Sequence, residues 1–182
     1  MEDKRKIWGF KGTIQVYTGN GKGKTTAALG LALRAAGYGY KTYMGQFMKG
    51  QEYGELKSVK KLSPLIVLEQ FGRKSFLHVT ENPEEEDIHR ARLGLRKCLA
   101  AMLSGKYRII VLDEINMALH FHLLGEKDVL AFLDHKPNDI EVILTGRHAP
   151  LSLIRRADLV TEMKEKKHYY RKGLAARKGI EK

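Results

Sequence analysis

The segment that most constrains this chain is Gly19-Asn20-Gly21-Lys22-Gly23-Lys24-Thr25-Thr26, set between an alternating apolar run and a helix-forming run of Ala and Leu. Residues 12–17, Gly-Thr-Ile-Gln-Val-Tyr, predict a first strand. Residues 25–36 are apolar around most of their circumference, which predicts a buried helix ended by Gly37. A strand, a glycine-rich turn and Gly-Lys-Thr opening a helix are the requirements of a phosphate cradle. Glycines let backbone N–H groups converge, the helix N-terminus adds partial positive charge, and the Lys24 ammonium reaches the terminal phosphates. The Thr25 hydroxyl is then placed for Mg²⁺. The strict spacing G-x-x-x-x-G-K-[ST] would need glycine at position 18, where the chain has Thr18. Gly19 and Gly21 supply the flexibility instead, and Lys22 adds charge. A solvated Gly/Lys turn is the plainer reading, but it requires neither the apolar strand nor the apolar helix that flank this one.

The rest of the chain repeats the alternation of strand and helix. Strands are predicted at residues 41–47, 65–69, 108–112, 141–144 and 159–163. Helices are predicted at 55–61 and from the Asn82-Pro83-Glu84-Glu85-Glu86-Asp87 start to about Leu103, with Pro83 in the first turn and carboxylates at the positive end of the dipole. Residues 109–112 are wholly apolar, the mark of a central parallel strand. The expected fold is therefore α/β, three layers, a mostly parallel sheet of about six strands with helices on both faces. One domain over residues 1–182 is expected, with a basic N-terminal segment (1–11) and a basic tail (164–182). No signal peptide or membrane span is read, and the single cysteine, Cys98, suits a reducing cytoplasm.

Two carboxylates, Asp113 and Glu114, close the apolar strand at the end where open parallel sheets bind ligands. Either member can hold Mg²⁺ opposite Thr25, while the plain alternative is a helix N-cap by Asp113. Arg147 follows another strand at the same edge and can neutralise phosphate charge. Arg34 is the one charge on the loop helix after Lys24, with ligand contact and dipole compensation both open to it. His120 and His122, two apart, point different ways on a predicted helix, and no Cys/His cluster has zinc spacing. The formal net charge is +12, and residues 164–182 hold eight Lys or Arg against two Glu, a balance of +6. That tail fits a nucleic-acid backbone, a polyanionic small ligand, or plain solvation. The charge keeps two rivals in view: a RecA-like ATPase acting on nucleic acid, and a nucleic-acid-binding domain with a regulatory nucleotide site.

The ordered set of segments resembles the ATP:corrinoid adenosyltransferases. The residues that carry the resemblance are 19–28 running into Leu33-Arg34-Ala35-Ala36-Gly37, then Gln46-Phe47-Met48-Lys49-Gly50. Val111-Leu112-Asp113-Glu114-Ile115, Leu144-Thr145-Gly146-Arg147, Ala157-Asp158-Leu159-Val160-Thr161-Glu162-Met163, Lys167-His168, Gly173 and Lys178-Gly179-Ile180 complete it. The resemblance implies a RecA-like phosphate-loop fold and transfer of the 5′-deoxyadenosyl group of ATP to cobalt(I) of a corrinoid, with triphosphate released. It implies that Gly19, Asn20, Gly21, Lys22, Gly23, Lys24, Thr25 and Thr26 bind ATP together with Arg34 and Arg147. It puts Mg²⁺ on Thr25 and Glu114, and gives catalytic roles to Lys24, Glu114 and Phe76. Corrinoid contacts fall to Phe76, His78 and His168; His78 stands about where many relatives carry tryptophan. The resemblance further implies an electron donor such as a reduced flavoprotein and a homodimer, with no nucleic-acid or membrane partner.

Overall fold

The structure is a computed structural model that describes residues 10–73 and 83–181. Six strands run as β1 (Ile14–Thr18), β2 (Thr42–Phe47), β3 (Ile66–Phe71), β4 (Ile109–Asp113), β5 (Glu141–Thr145) and β6 (Leu159–Glu162). Six helices alternate with them: α1 (Lys24–Gly37), α2 (Gly54–Lys61), α3 (Glu85–Leu103), α4 (Ile115–His120), α5 (Glu126–Asp134) and α6 (Leu151–Arg156). A short 3-10 turn, Tyr169–Lys172, follows β6. The strands form one sheet in the order β3-β2-β4-β5-β1-β6, and every neighbouring pair is parallel.

The residue pattern explains the layering. Because successive side chains of a strand point to opposite faces, a strand that is apolar at every position must be covered on both. In β4, Ile110 and Leu112 pack into the main core with Cys98 and Met102 of α3 and Val129 and Phe132 of α5. Ile109 and Val111 point the other way, into a cluster with Ala28 and Ala35 of α1. Val142 and Leu144 of β5 divide from Ile143 in the same manner. The small side chains of α1 let it lie close on the sheet. Complete burial of a Leu or Ile here stabilises by about 1.5–3 kcal/mol. Beside this core, β6 is exposed at all four positions, as an edge strand with no outer neighbour.

The expected strands and helices all appear, with ends moved by a residue or two. The α3 start differs: Glu84 is the N-cap and Pro83 lies before it, while Glu85, Glu86 and Asp87 form the first turn. Helix α4 begins with Glu114, not Asp113, in the N-cap position, and no side chain caps it. The Asp113 carboxylate is committed elsewhere. His122 lies beyond α4 with a positive φ of 56°. Because every strand runs the same way, the segments that follow all six lie at one edge of the sheet, where the candidate site lies.

Candidate active site

An open cleft of about 1180 Å³ lies at that edge, lined by the loop from Asn20 to Thr26, by Lys49, Glu114 and Arg147, and by His168 and residues 179–181. That volume is above the 300–1,000 Å³ typical of a single small-molecule site.

The loop takes its shape from its own residues and from the segment after β6. Gly19 has a φ of 90°, and a Cβ there would come within 2.5 Å of the Met163 carbonyl oxygen. Gly21 N donates to that same oxygen at 2.6 Å. Lys24 is buried; its Nζ donates to the carbonyl oxygens of Gly19 at 2.6 Å and Gly21 at 2.8 Å. Burial pulls its pKa below the ordinary lysine value, with the Arg147 charge acting in the same direction and Glu114 and Asp113 opposing. α1 begins at Lys24 with Gly23 as N-cap and no side-chain cap, which leaves its first N–H groups for an anion.

The two carboxylates after β4 have different surroundings. Asp113 is wholly buried and accepts four hydrogen bonds. Thr25 Oγ1 and Thr145 Oγ1 donate to its Oδ1 at 2.8 and 2.7 Å; Gln46 Nε2 and Lys49 Nζ donate to its Oδ2 at 3.1 and 2.8 Å. A carboxylate offers about four lone-pair sites, so Asp113 is saturated. It fixes Thr25 by taking that hydroxyl's only proton, which turns the oxygen lone pairs outward. Glu114 sits in the left-handed region, φ 62°, and its backbone N–H donates to Thr145 Oγ1 at 3.0 Å. That turn puts Glu114 on the cleft wall. Burial, then the Asp113 charge, raises its pKa, against the pull of Lys49, Lys24 and Arg147.

Hard oxygen donors facing a phosphate cradle fit Mg²⁺. The Glu114 carboxyl and the Thr25 lone pairs are the groups that would hold it. No group of three or more His, Cys, Asp or Glu able to hold a metal occurs among the described residues. A cation here would therefore complete its shell from nucleotide oxygens and water.

Of the other predicted residues, Lys22 is present but engaged. Its Nζ donates to Tyr169 Oη at 2.9 Å, the Ile180 carbonyl at 3.2 Å and Glu181 Oε1 at 2.9 Å. Arg147 lines the cleft, and so does His168, whose Nδ1 accepts from Tyr170 N at 3.1 Å. Arg34 does not belong to this cleft. It is exposed in the last turn of α1, ten residues and about 15 Å along the axis from Lys24, a position that suits compensation of the helix dipole. Phe76 and His78 lie outside the described residues.

Lys49 and Gln46, named in the sequence only as part of a matching segment, are central here, as is Thr145. Burial pulls the Lys49 pKa down, but Asp113 with Glu114 and Glu55 outweighs it, leaving the ammonium above its ordinary value. The isolated lysine after a buried strand at the ligand edge was the signal available in sequence. Tyr169 and Glu181 were also missed, because their contact with Lys22 joins residues far apart in the chain. No helix among the described residues is long and apolar enough to cross a membrane.

Comparison with known proteins agrees with this geometry. The family model described as ATP:corrinoid adenosyltransferase BtuR/CobO/CobP matches residues 10–181. A corrinoid adenosyltransferase of Pseudomonas aeruginosa is 34% identical over 172 residues, 94% of this chain and 84% of its own length. Another, of a Sinorhizobium species, is 35% identical over 173 residues, 94% of this chain and 80% of its own length. Among solved structures, the KaiC-like protein PH0186 of Pyrococcus horikoshii OT3 has a TM-score of 0.54 at 19% identity, with 86% of this chain and 75% of that one covered. That likeness concerns the α/β fold alone. With a cradle, a carboxylate and an arginine meeting at the sheet edge and relatives matched over nearly the whole length, the chain belongs to the ATP:corrinoid adenosyltransferase family.

Proposed function

We propose that the protein transfers the 5′-deoxyadenosyl group of ATP to cobalt(I) of a corrinoid and releases triphosphate. The observation that carries this reading is the convergence of Lys24, Thr25, Glu114 and Arg147 on one cleft in a chain of this family. Cobalt(I) is a strong nucleophile with no proton to lose, so the reaction asks the protein for alignment and charge stabilisation, not for a general base. Residues 19–26 and Arg147 hold the triphosphate as a leaving group. Thr25 and Glu114 hold Mg²⁺, which when bound neutralises phosphate charge. Asp113 orients Thr25 and takes no part in transfer.

His168, which also lines the cleft, belongs in this reading to the second substrate. Phe76 and His78 belong to the corrinoid side of the same reading, as do a one-electron donor such as a reduced flavoprotein and a homodimeric state. The tail is tied to the loop without nucleic acid: Glu181 pairs with both Lys22 and Arg177, and both cations lie over the Tyr169 ring.

The test combines protein, Mg·ATP and chemically reduced cobalamin and follows the visible spectrum. A light-sensitive alkylcobalamin forming only when all three are present is the expected result. Folded protein that yields ADP, at a rate raised by DNA and indifferent to the corrinoid, would overturn the reading in favour of a nucleic-acid ATPase.

A further inference from the structure

Lys49 has no part in the reaction as described above, yet β2 delivers its side chain to the centre of the cleft on a fixed backbone. Met48 has a φ of 59°, uncommon for a residue with a side chain. Gly72 N donates to the Lys49 carbonyl at 2.9 Å. A Cβ on Gly50 would fall 2.3 Å from the Arg73 carbonyl oxygen, so that position is tightly packed as well. The backbone on either side of Lys49 is thus held, and movement of its charge falls to the side chain.

Its ammonium lies 2.8 Å from Asp113 Oδ2 and 3.4 Å from Thr25 Oγ1, with Glu55 Oε1 at 4.0 Å and the Tyr53 ring centroid at 5.5 Å. Asp113 gives its other three sites to neutral donors, so Lys49 is the one full positive charge bonded to it. The lone pairs that Thr25 turns outward face this same ammonium. One built-in cation thus occupies the side of Thr25 on which a divalent ion would bind. Two cations cannot share it without strong repulsion at this depth of burial.

We propose that Lys49 is the resident counter-ion of the Thr25–Asp113 pair and makes divalent-metal binding depend on triphosphate. A metal ion reaches Thr25 as Lys49 moves off, and the incoming phosphates give the displaced ammonium a new anionic partner. Without them its remaining anionic neighbours are Glu55, 4.0 Å away, and Glu114, which the metal itself would engage. Coupling of this kind is reciprocal: metal and triphosphate each strengthen the other's binding by the same factor. The inference rests on the reading of residues 19–26 as the triphosphate site, but it does not require adenosyl transfer.

The experiment measures Mn²⁺ binding by electron paramagnetic resonance, with corrinoid absent, with and without inorganic triphosphate. Wild type is expected to bind Mn²⁺ weakly alone. Lys49→Met is expected to bind it about tenfold tighter alone, within the usual range of coupling factors, and to gain less from triphosphate than wild type. Lys49→Arg, which keeps the charge, stays weak. If folded Lys49→Met binds Mn²⁺ no tighter than wild type, the proposal is overturned. Lys49→Gln, which retains a donor to Asp113, gives the same decision should the methionine variant not fold. If triphosphate fails to bind wild type, the reading of the loop falls, while Mn²⁺ binding in its absence still decides the role of Lys49. A gain in Mn²⁺ affinity in a protein that performs no adenosyl transfer would support the counter-ion and reject the proposed function.

Discussion

At the scale of single residues, the adjacent carboxylates Asp113 and Glu114 have different surroundings, and the proposed function gives them different roles. Asp113 is saturated and buried; replacing it with Asn turns one acceptor into a donor against existing donors. That change should cost about 2–4 kcal/mol, the range for breaking a buried charged network. Glu114 has a raised pKa, and the sign follows from that. A carboxyl group that holds its proton more tightly when folded stabilises the protein at low pH and costs stability once ionised. Glu114→Gln should therefore leave the melting temperature unchanged or higher at pH 7. The variant's advantage should shrink as pH falls through the folded pKa, and adenosyl transfer should be lost throughout. Melting curves and rates for the two variants check this; a Glu114→Gln protein clearly less stable than Asp113→Asn would contradict it. The residues alone left both members of the pair open as a cation ligand, and only the family resemblance pointed to Glu114, because what separates them is Gln46, Lys49 and Thr145, brought together from β2, the segment after it and β5.

Among the elements, the buried strands were the most legible. Residues 109–112 offer no polar side chain, so two covered faces were the only outcome, and the split of Ile110 and Leu112 from Ile109 and Val111 follows directly. The close fit of β2 against α3 was not legible, because it depends on a glycine meeting a cysteine from another element. A Cβ at Gly45 would lie 2.5 Å from Cys98 Sγ and 3.3 Å from Phe71 Cε2. Gly45→Ala should destabilise the fold by about 1–3 kcal/mol through overpacking, lowering the melting temperature by about 2–4 °C per kcal/mol for a chain of this size. An alanine variant that melts with wild type would mean that α3 does not pack on β2 as described. Burial also holds the Cys98 thiol well above its ordinary pKa, as a packed side chain and not a reactive one.

For the whole molecule, the parallel sheet puts the C-terminal ends of all six strands at one edge, and the site is assembled from the segments that leave them. The basic tail, ambiguous as a run of charge, returns across the phosphate loop: Gly21 bonds Met163, and Lys22 bonds Tyr169, Ile180 and Glu181. Such long-range closure leaves no local pattern in the sequence; the Lys22–Glu181 pair spans 159 positions. The central claim is that this cradle holds a leaving group, so that the bond broken in ATP is at C5′ and not at the γ-phosphorus. The most direct measurement follows ATP labelled in the adenosine moiety and, separately, at the γ-phosphate, during incubation with protein, Mg²⁺ and reduced corrinoid. The account predicts adenosine label on the corrinoid and γ-label in intact triphosphate, in equal amounts. Adenosine label in ADP with γ-label in orthophosphate, unchanged when the corrinoid is omitted, would contradict it.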